Sequence, residues 1–232
     1  MIETAACPRT SISLTNAWPS LSDSAMRSPP DVCGSNKTGS PPGAASGGDR
    51  ELWRSPAAGA GAARLKDING SGSSTPSSLA AAGSVVYFEA ETPGIGFELW
   101  KTDGTTLGTQ LVKNIRPGSN YSGGLSSSPA DITVLGSSVF FSATDGSNGH
   151  ELWKSDGTTV GTQLVKDINP GSYSSMYGYY STPGLAVVAG KLHFAADDGT
   201  TGSELWTSDG TTAGTTLTKD INTRNRGSNP YQ

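Results

Sequence analysis

Short apolar runs, each closed by Gly, Asp, Asn or Ser, recur along residues 51–232, and none carries the 3.6-residue period of an amphipathic helix. The clearest set lies between residues 131 and 168. Residues 131–135, 138–143, 150–155 and 162–168 read as four strands, A to D. Gly136-Ser137 joins A to B, residues 145–149 join B to C, and residues 156–161 join C to D. In these connections Gly supplies the positive φ that a tight, strand-compatible turn requires. Within strand C the side chains alternate, so Glu151 and Trp153 fall on one face and Leu152 on the other. The pattern predicts a four-stranded antiparallel meander.

The same pattern returns three more times. Glu98 to Thr105 reads ELWKTDGT, Glu151 to Thr158 reads ELWKSDGT, Glu204 to Thr211 reads ELWTSDGT, and Glu51-Leu52-Trp53-Arg54-Ser55 opens a decayed copy. Trp53, Trp100, Trp153 and Trp206 are spaced by 47, 53 and 53 residues, a repeat-unit length. The predicted units are a partial one at 51–75 and full ones at 76–128, 129–182 and 183–222. The first supplies only strands C and D, and its hairpin has lost the Asp-Gly pair, which makes it the weakest edge. Four strands per unit, a period near 50 residues and one long connector predict an all-β fold: tandem four-stranded antiparallel blades of β-propeller type. A β-solenoid is the competing architecture. About three and a half blades fall short of the four that a closed ring needs, so the array is expected to be incomplete, either open or completed by oligomerisation.

Composition changes this picture mainly at the N-terminus. The chain is only 34% hydrophobic, and the deficit lies in residues 1–50, which are rich in Ser, Pro, Gly and Ala. That leader is expected to be disordered, with a weak strand at residues 11–15, because it cannot bury enough apolar surface to offset chain entropy. A net charge of -4 and a pI near 5.1 give no basic footprint, which argues against nucleic acid as a partner. No apolar run approaches the ~20 residues of a membrane-spanning helix, and the first residues show no export signal. Cys7 and Cys33, 26 residues apart in the leader, leave a disulfide and two incidental thiols equally open.

The recurrence Glu-Leu-Trp-x-x-Asp-Gly-Thr, followed by Gly-Thr-x-Leu-Val-Lys-Asp-Ile, resembles the bacterial ELWxxDGT repeat family, over residues 51–222, about three quarters of the chain. The resemblance implies propeller-like folding in a secreted or cell-surface protein without an assigned enzymatic role. It also implies binding rather than catalysis. The 232 residues are fewer than the family pattern leads one to expect, and neither a signal peptide nor a sorting domain is expected among them.

Each residue that suggests chemistry has a structural reading beside it. Trp100, Trp153 and Trp206 are read as wedges between blades; Glu98, Glu151 and Glu204 as carboxylates bonded to a backbone amide or a neighbouring Lys; Asp103, Asp156 and Asp209 as acceptors inside their own turns. Calcium is the sharper alternative, and Asp197-Asp198 is the adjacent carboxylate pair that makes it worth stating, though no D-x-D-x-D spacing accompanies it. No metal or cofactor is assigned. His150 and His193 belong to no metal or triad spacing and read as structural, and no catalytic residue is assigned. Asn36, Asn69 and Asn120 open weak glycosylation sequons. The connector that differs most between copies carries Tyr173, Met176, Tyr177, Tyr179 and Tyr180, and is the candidate contact surface, since Tyr offers large area at small entropy cost. The expected function is a non-enzymatic extracellular scaffold that binds protein or glycan. The alternatives are a lectin or glycosidase using the loop face, and a fragment of a longer repeat protein. Self-association through exposed blade edges is a further expectation.

Overall fold

The structure is a computed structural model that describes residues 32–34, 50–54, 62–121, 123–176, 184–221 and 223. Among these there is no helix. A three-stranded sheet comes first, from β1 (Val32–Gly34), β2 (Leu52–Arg54) and β3 (Ala63–Lys66). Then follow β4 (Ser77–Ala82), β5 (Val85–Thr92), β6 (Gly96–Thr102) and β7 (Gln110–Lys113), which form the first full meander. A small ribbon, β8 (Ser119–Asn120) and β9 (Gly123–Gly124), lies in the connector. The next meander is β10 (Ala130–Leu135), β11 (Ser138–Thr144), β12 (His150–Ser155) and β13 (Gln163–Lys166). The last is β14 (Ala186–Val188), β15 (Lys191–Asp197), β16 (Ser203–Ser208) and β17 (Thr216–Lys219).

The described residues therefore form an all-β array of propeller-like blades, three of them four-stranded and none closed into a barrel. Strand A of the middle blade, β10, contacts β4 and β14, and the Thr133 Oγ1 hydroxyl donates to the Leu185 carbonyl at 3.2 Å. First strands thus lie together on the inner side, with the fourth strands outermost. Three apolar clusters fill the space between successive sheets. Leu52, Leu65 and Ile68 face Phe88 and Trp100; Leu99, Val112 and Ile115 face Phe141 and Trp153; Leu152, Val165 and Ile168 face Phe194 and Trp206. The alternation within Glu-Leu-Trp places Leu against the following blade and Trp against the preceding one.

Two boundaries differ from the sequence reading. Strand D ends at Lys166 rather than at residue 168, because the N–H groups of Ile168 and Asn169 leave the sheet and donate to the Glu151 carboxylate at 2.9 and 3.4 Å. The leader also contributes a strand. β1 pairs antiparallel with β2, Cys33 opposite Trp53, at the register that Phe88, Phe141 and Phe194 hold in the other sheets. The first blade thus has strand B as well as C and D. Residues 11–15 and Cys7 lie outside the described residues.

Candidate functional site

The recurring motif builds the blade and its joints. Glu51, Glu98, Glu151 and Glu204 have no solvent exposure. Glu151 accepts from the N–H groups of Ile168, Asn169 and Ser175 and from the Ser175 hydroxyl, at 2.9, 3.4, 3.0 and 2.5 Å. Glu98 takes the same four donors from Ile115, Arg116 and Ser127, and Glu51 from Ile68, Asn69 and Ser74. Each carboxylate ties the end of strand D to the connector that leads into the next blade. Of the two partners expected, the backbone amide is the one used; the lysines go elsewhere. Burial raises the Glu98 carboxyl above its ordinary value and lifts Glu151 to about 7, against the opposing pull of these donors.

Joints between blades repeat with the same spacing. Trp100, Trp153 and Trp206 are 6, 6 and 5% exposed and fill the wedges predicted for them. Lys66, Lys113 and Lys166 of the preceding blade lie 5.6, 6.0 and 5.5 Å above those rings and donate to the carbonyls of Thr109, Thr162 and Thr215. In return the Thr106, Thr159 and Thr212 hydroxyls donate to the carbonyls of Leu65, Val112 and Val165. Arg54, Lys101 and Lys154 reach the carbonyls of Gly104, Gly157 and Gly210. Asp103, Asp156 and Asp209 cap their own hairpins, each accepting from the N–H and hydroxyl of the Thr two residues on, and these bonds lower all three carboxyls.

One feature of the inner surface has no counterpart in the sequence reading. Ser78 in β4, Asp131 in β10 and Gly184 just before β14 occupy equivalent positions in three blades, and each has φ of 55°. Around them lies a cavity of about 250 Å³, also lined by Leu79, Ile132, Thr133 and Leu185. The Gly184 N–H bonds to the Asp131 carboxylate, while its Oδ2 is buried with no hydrogen-bond partner among the described residues, and burial raises the carboxyl above its ordinary value. The signal was present in the sequence as the substitution Ser, Asp, Gly at an otherwise regular position. Its placement beside the other first strands was not.

No family model matches the chain, and no curated protein matches it. Among solved structures, the computationally designed Ika8 protein aligns with a TM-score of 0.39 and 18% identity, over 84% of this chain and 46% of that one. The chain thus spans less than half the length of that structure, and so distant a likeness says nothing about function.

The predicted contact connector is divided. Tyr173 is 73% exposed, whereas Met176 is fully buried with Phe140, Leu152 and Trp206 and offers no surface; Tyr177, Tyr179 and Tyr180 lie outside the described residues. Tyr121 in the preceding connector is fully exposed. Asp197 accepts from the Gly199 N–H, and Asp198 from the N–H and hydroxyl groups of Thr200 and Thr201. Among the described residues no group of three or more His, Cys, Asp or Glu side chains is placed to hold a metal, and no helix is long and apolar enough to cross a membrane. The His150 backbone joins the connector through Ser174, Ser175 and Met176; burial and the nearby Arg116 lower its imidazole. His193 lies in β15 opposite Thr207.

Proposed function

We propose that this chain is a member of the ELWxxDGT-type repeat proteins and acts as a non-enzymatic extracellular scaffold that binds protein or glycan through its connectors. One observation carries the reading. The recurring Glu, Trp, Lys and Asp side chains are engaged within or between blades, while successive connectors hold Tyr121 and Tyr173 out in solvent. Exposed aromatics on a rigid frame give contact area at low entropy cost. They also suit sugar faces, so a lectin is the second reading.

The test pairs a glycan array with a panel of immobilised extracellular proteins, using the wild type and a Tyr121→Ser/Tyr173→Ser variant. The double variant is expected to lose at least tenfold in affinity for whatever the wild type binds, with its melting temperature unchanged. Protein ligands alone support the scaffold, and glycan ligands alone support the lectin. Full binding by the double variant, or glycoside turnover by the wild type, overturns the proposal. Display at a cell surface follows from the resemblance and is checked by protease shaving of intact source cells.

A further inference from the structure

We propose that the outer face of the last blade is half of a blade joint, and that its partner is the first blade of a second copy of this chain, docked head-to-tail. This surface is separate from the connectors and does not depend on the reading above. Each earlier blade turns the same residues toward the blade that follows, and there they are covered: Leu52, Leu99 and Leu152 have no exposure, and Ile68, Ile115 and Ile168 are 7, 4 and 4% exposed. On the last blade the equivalent Leu205 is partly exposed and Ile221 is 59% exposed. Lys219 is exposed as well, where Lys66, Lys113 and Lys166 lie over the Trp of the following blade. An apolar face left open in this way marks an interaction surface.

The joints inside the chain identify the occupant. In each, the Leu and Ile of one blade receive the motif Trp of the next, and a Lys lies over its ring. The first blade presents the matching half: Trp53 is partly exposed, where Trp100, Trp153 and Trp206 are buried. Among the described residues of one chain the two halves do not meet, since Ile221 and Lys219 stay exposed. Two different faces that fit each other make a heterologous contact, so copies add head-to-tail. The halves are less complete than an internal joint. Thr207 stands in place of the lysine that Lys101 and Lys154 extend to the next hairpin, and Gly59 in place of the Thr whose hydroxyl crosses each internal joint. His193 and Thr218 likewise replace the buried Phe140 and Val165. Without those contacts, and without the tether that raises effective concentration inside the chain, the association is reversible.

The test is sedimentation equilibrium of the full chain from micromolar to millimolar concentration, with amide hydrogen exchange measured at both ends of that range. The mass of the wild type is expected to rise with concentration, and exchange to slow most at β2 and β17. Ile221→Asp should weaken association at least tenfold with its melting temperature unchanged, because the side chain is exposed in the single chain. Trp53→Ser removes the other half and keeps the last blade intact even if the first one loosens. Each variant retains the half that the other has lost, so an equal mixture should form a two-chain complex that grows no further. A wild type that stays a single chain at millimolar concentration, wild-type association by Ile221→Asp, or no complex in the mixture would overturn the proposal. Slowing of exchange at the connectors instead of β2 and β17 would overturn it too. The Tyr121→Ser/Tyr173→Ser variant should associate as the wild type does, which separates this face from the connector surface; its failure to associate would place the contact on the connectors and refute the joint.

Discussion

At residue scale the buried glutamates dominate the electrostatics. Three of the four donors around Glu151 are backbone N–H groups, which can only donate, so the carboxylate must accept every one of them. Removal from water nonetheless raises its pKa from the ordinary 4.5 to about 7, and that of Glu98 in the same direction. The sign follows directly. Between pH 4.5 and 7 the folded protein holds a proton on Glu151 that the unfolded chain has released, so this contribution is fully present below pH 4.5 and is lost as pH rises through 7. Urea midpoints are expected to be higher at pH 5 than at pH 8. Glu151→Gln should flatten that dependence and lower stability by about 2 kcal/mol, since an amide nitrogen cannot accept the N–H bonds that the second oxygen took. A midpoint that falls on going from pH 8 to pH 5 would refute the assignment.

At the scale of elements the C–D hairpin shows why its residues recur. Gly157 has φ of 86°, and a Cβ there would run into the Tyr87 hydroxyl of the preceding blade. A Cβ on Gly161 would overlap the Asp156 carboxylate that caps the turn. Gly157→Ala is expected to cost ~1–3 kcal/mol in chemical denaturation. By contrast, Val160→Ala at the exposed tip of the same hairpin should stay within about 0.5 kcal/mol. The strands and turns were readable because alternation and turn chemistry are local. The early end of strand D was not, because a side chain 17 residues away draws the Ile168 N–H out of the ladder. Strand β1 was likewise hidden: it is three residues long and carries no alternation, and only its pairing with β2 makes it a strand.

Connectors show a second limit at this scale. The full units repeat every 53 residues, which suggests that their connectors align throughout. The Ser that meets the buried glutamate lies 11 residues beyond Arg116 in one unit, at Ser127, and only 6 beyond Asn169 in the next, at Ser175. Insertions of matching length sit on opposite sides of this anchor, so equal spacing masks different paths. This is how Met176, read as a contact residue beside Tyr173, lies instead in the core next to Ser175.

For the molecule as a whole, stability resides in the joints between blades, as in other repeat arrays where each unit is held by its neighbours. Trp153 packs against Leu99, Val112 and Ile115 of the blade before it and lies under Lys113. Trp153→Ala should therefore lower stability by ~3–5 kcal/mol and reduce hydrogen-exchange protection in β4–β7 as well as β10–β13. Loss of protection confined to the mutated blade would mean that the blades fold independently. The outer face of the last blade is different. Ile221 is 59% exposed where Ile115 and Ile168 are each 4% exposed, and Thr207 stands where Lys101 and Lys154 clamp the following blade.

The sequence by itself determined the repeat, the four strands of each full blade, their tight turns and the antiparallel order. The repeat shows as recurrence of one motif at 47 to 53 residues, and the rest follows from hydrophobic period and turn residues within about ten positions of one another. Tertiary structure decided the rest. Blade joints pair side chains with backbone carbonyls some 50 residues distant, and a carbonyl has no signature in the sequence. The hollow beside Asp131 exists because the first strands of separate units come together, and burial there leaves one oxygen of its carboxylate without a hydrogen-bond partner among the described residues.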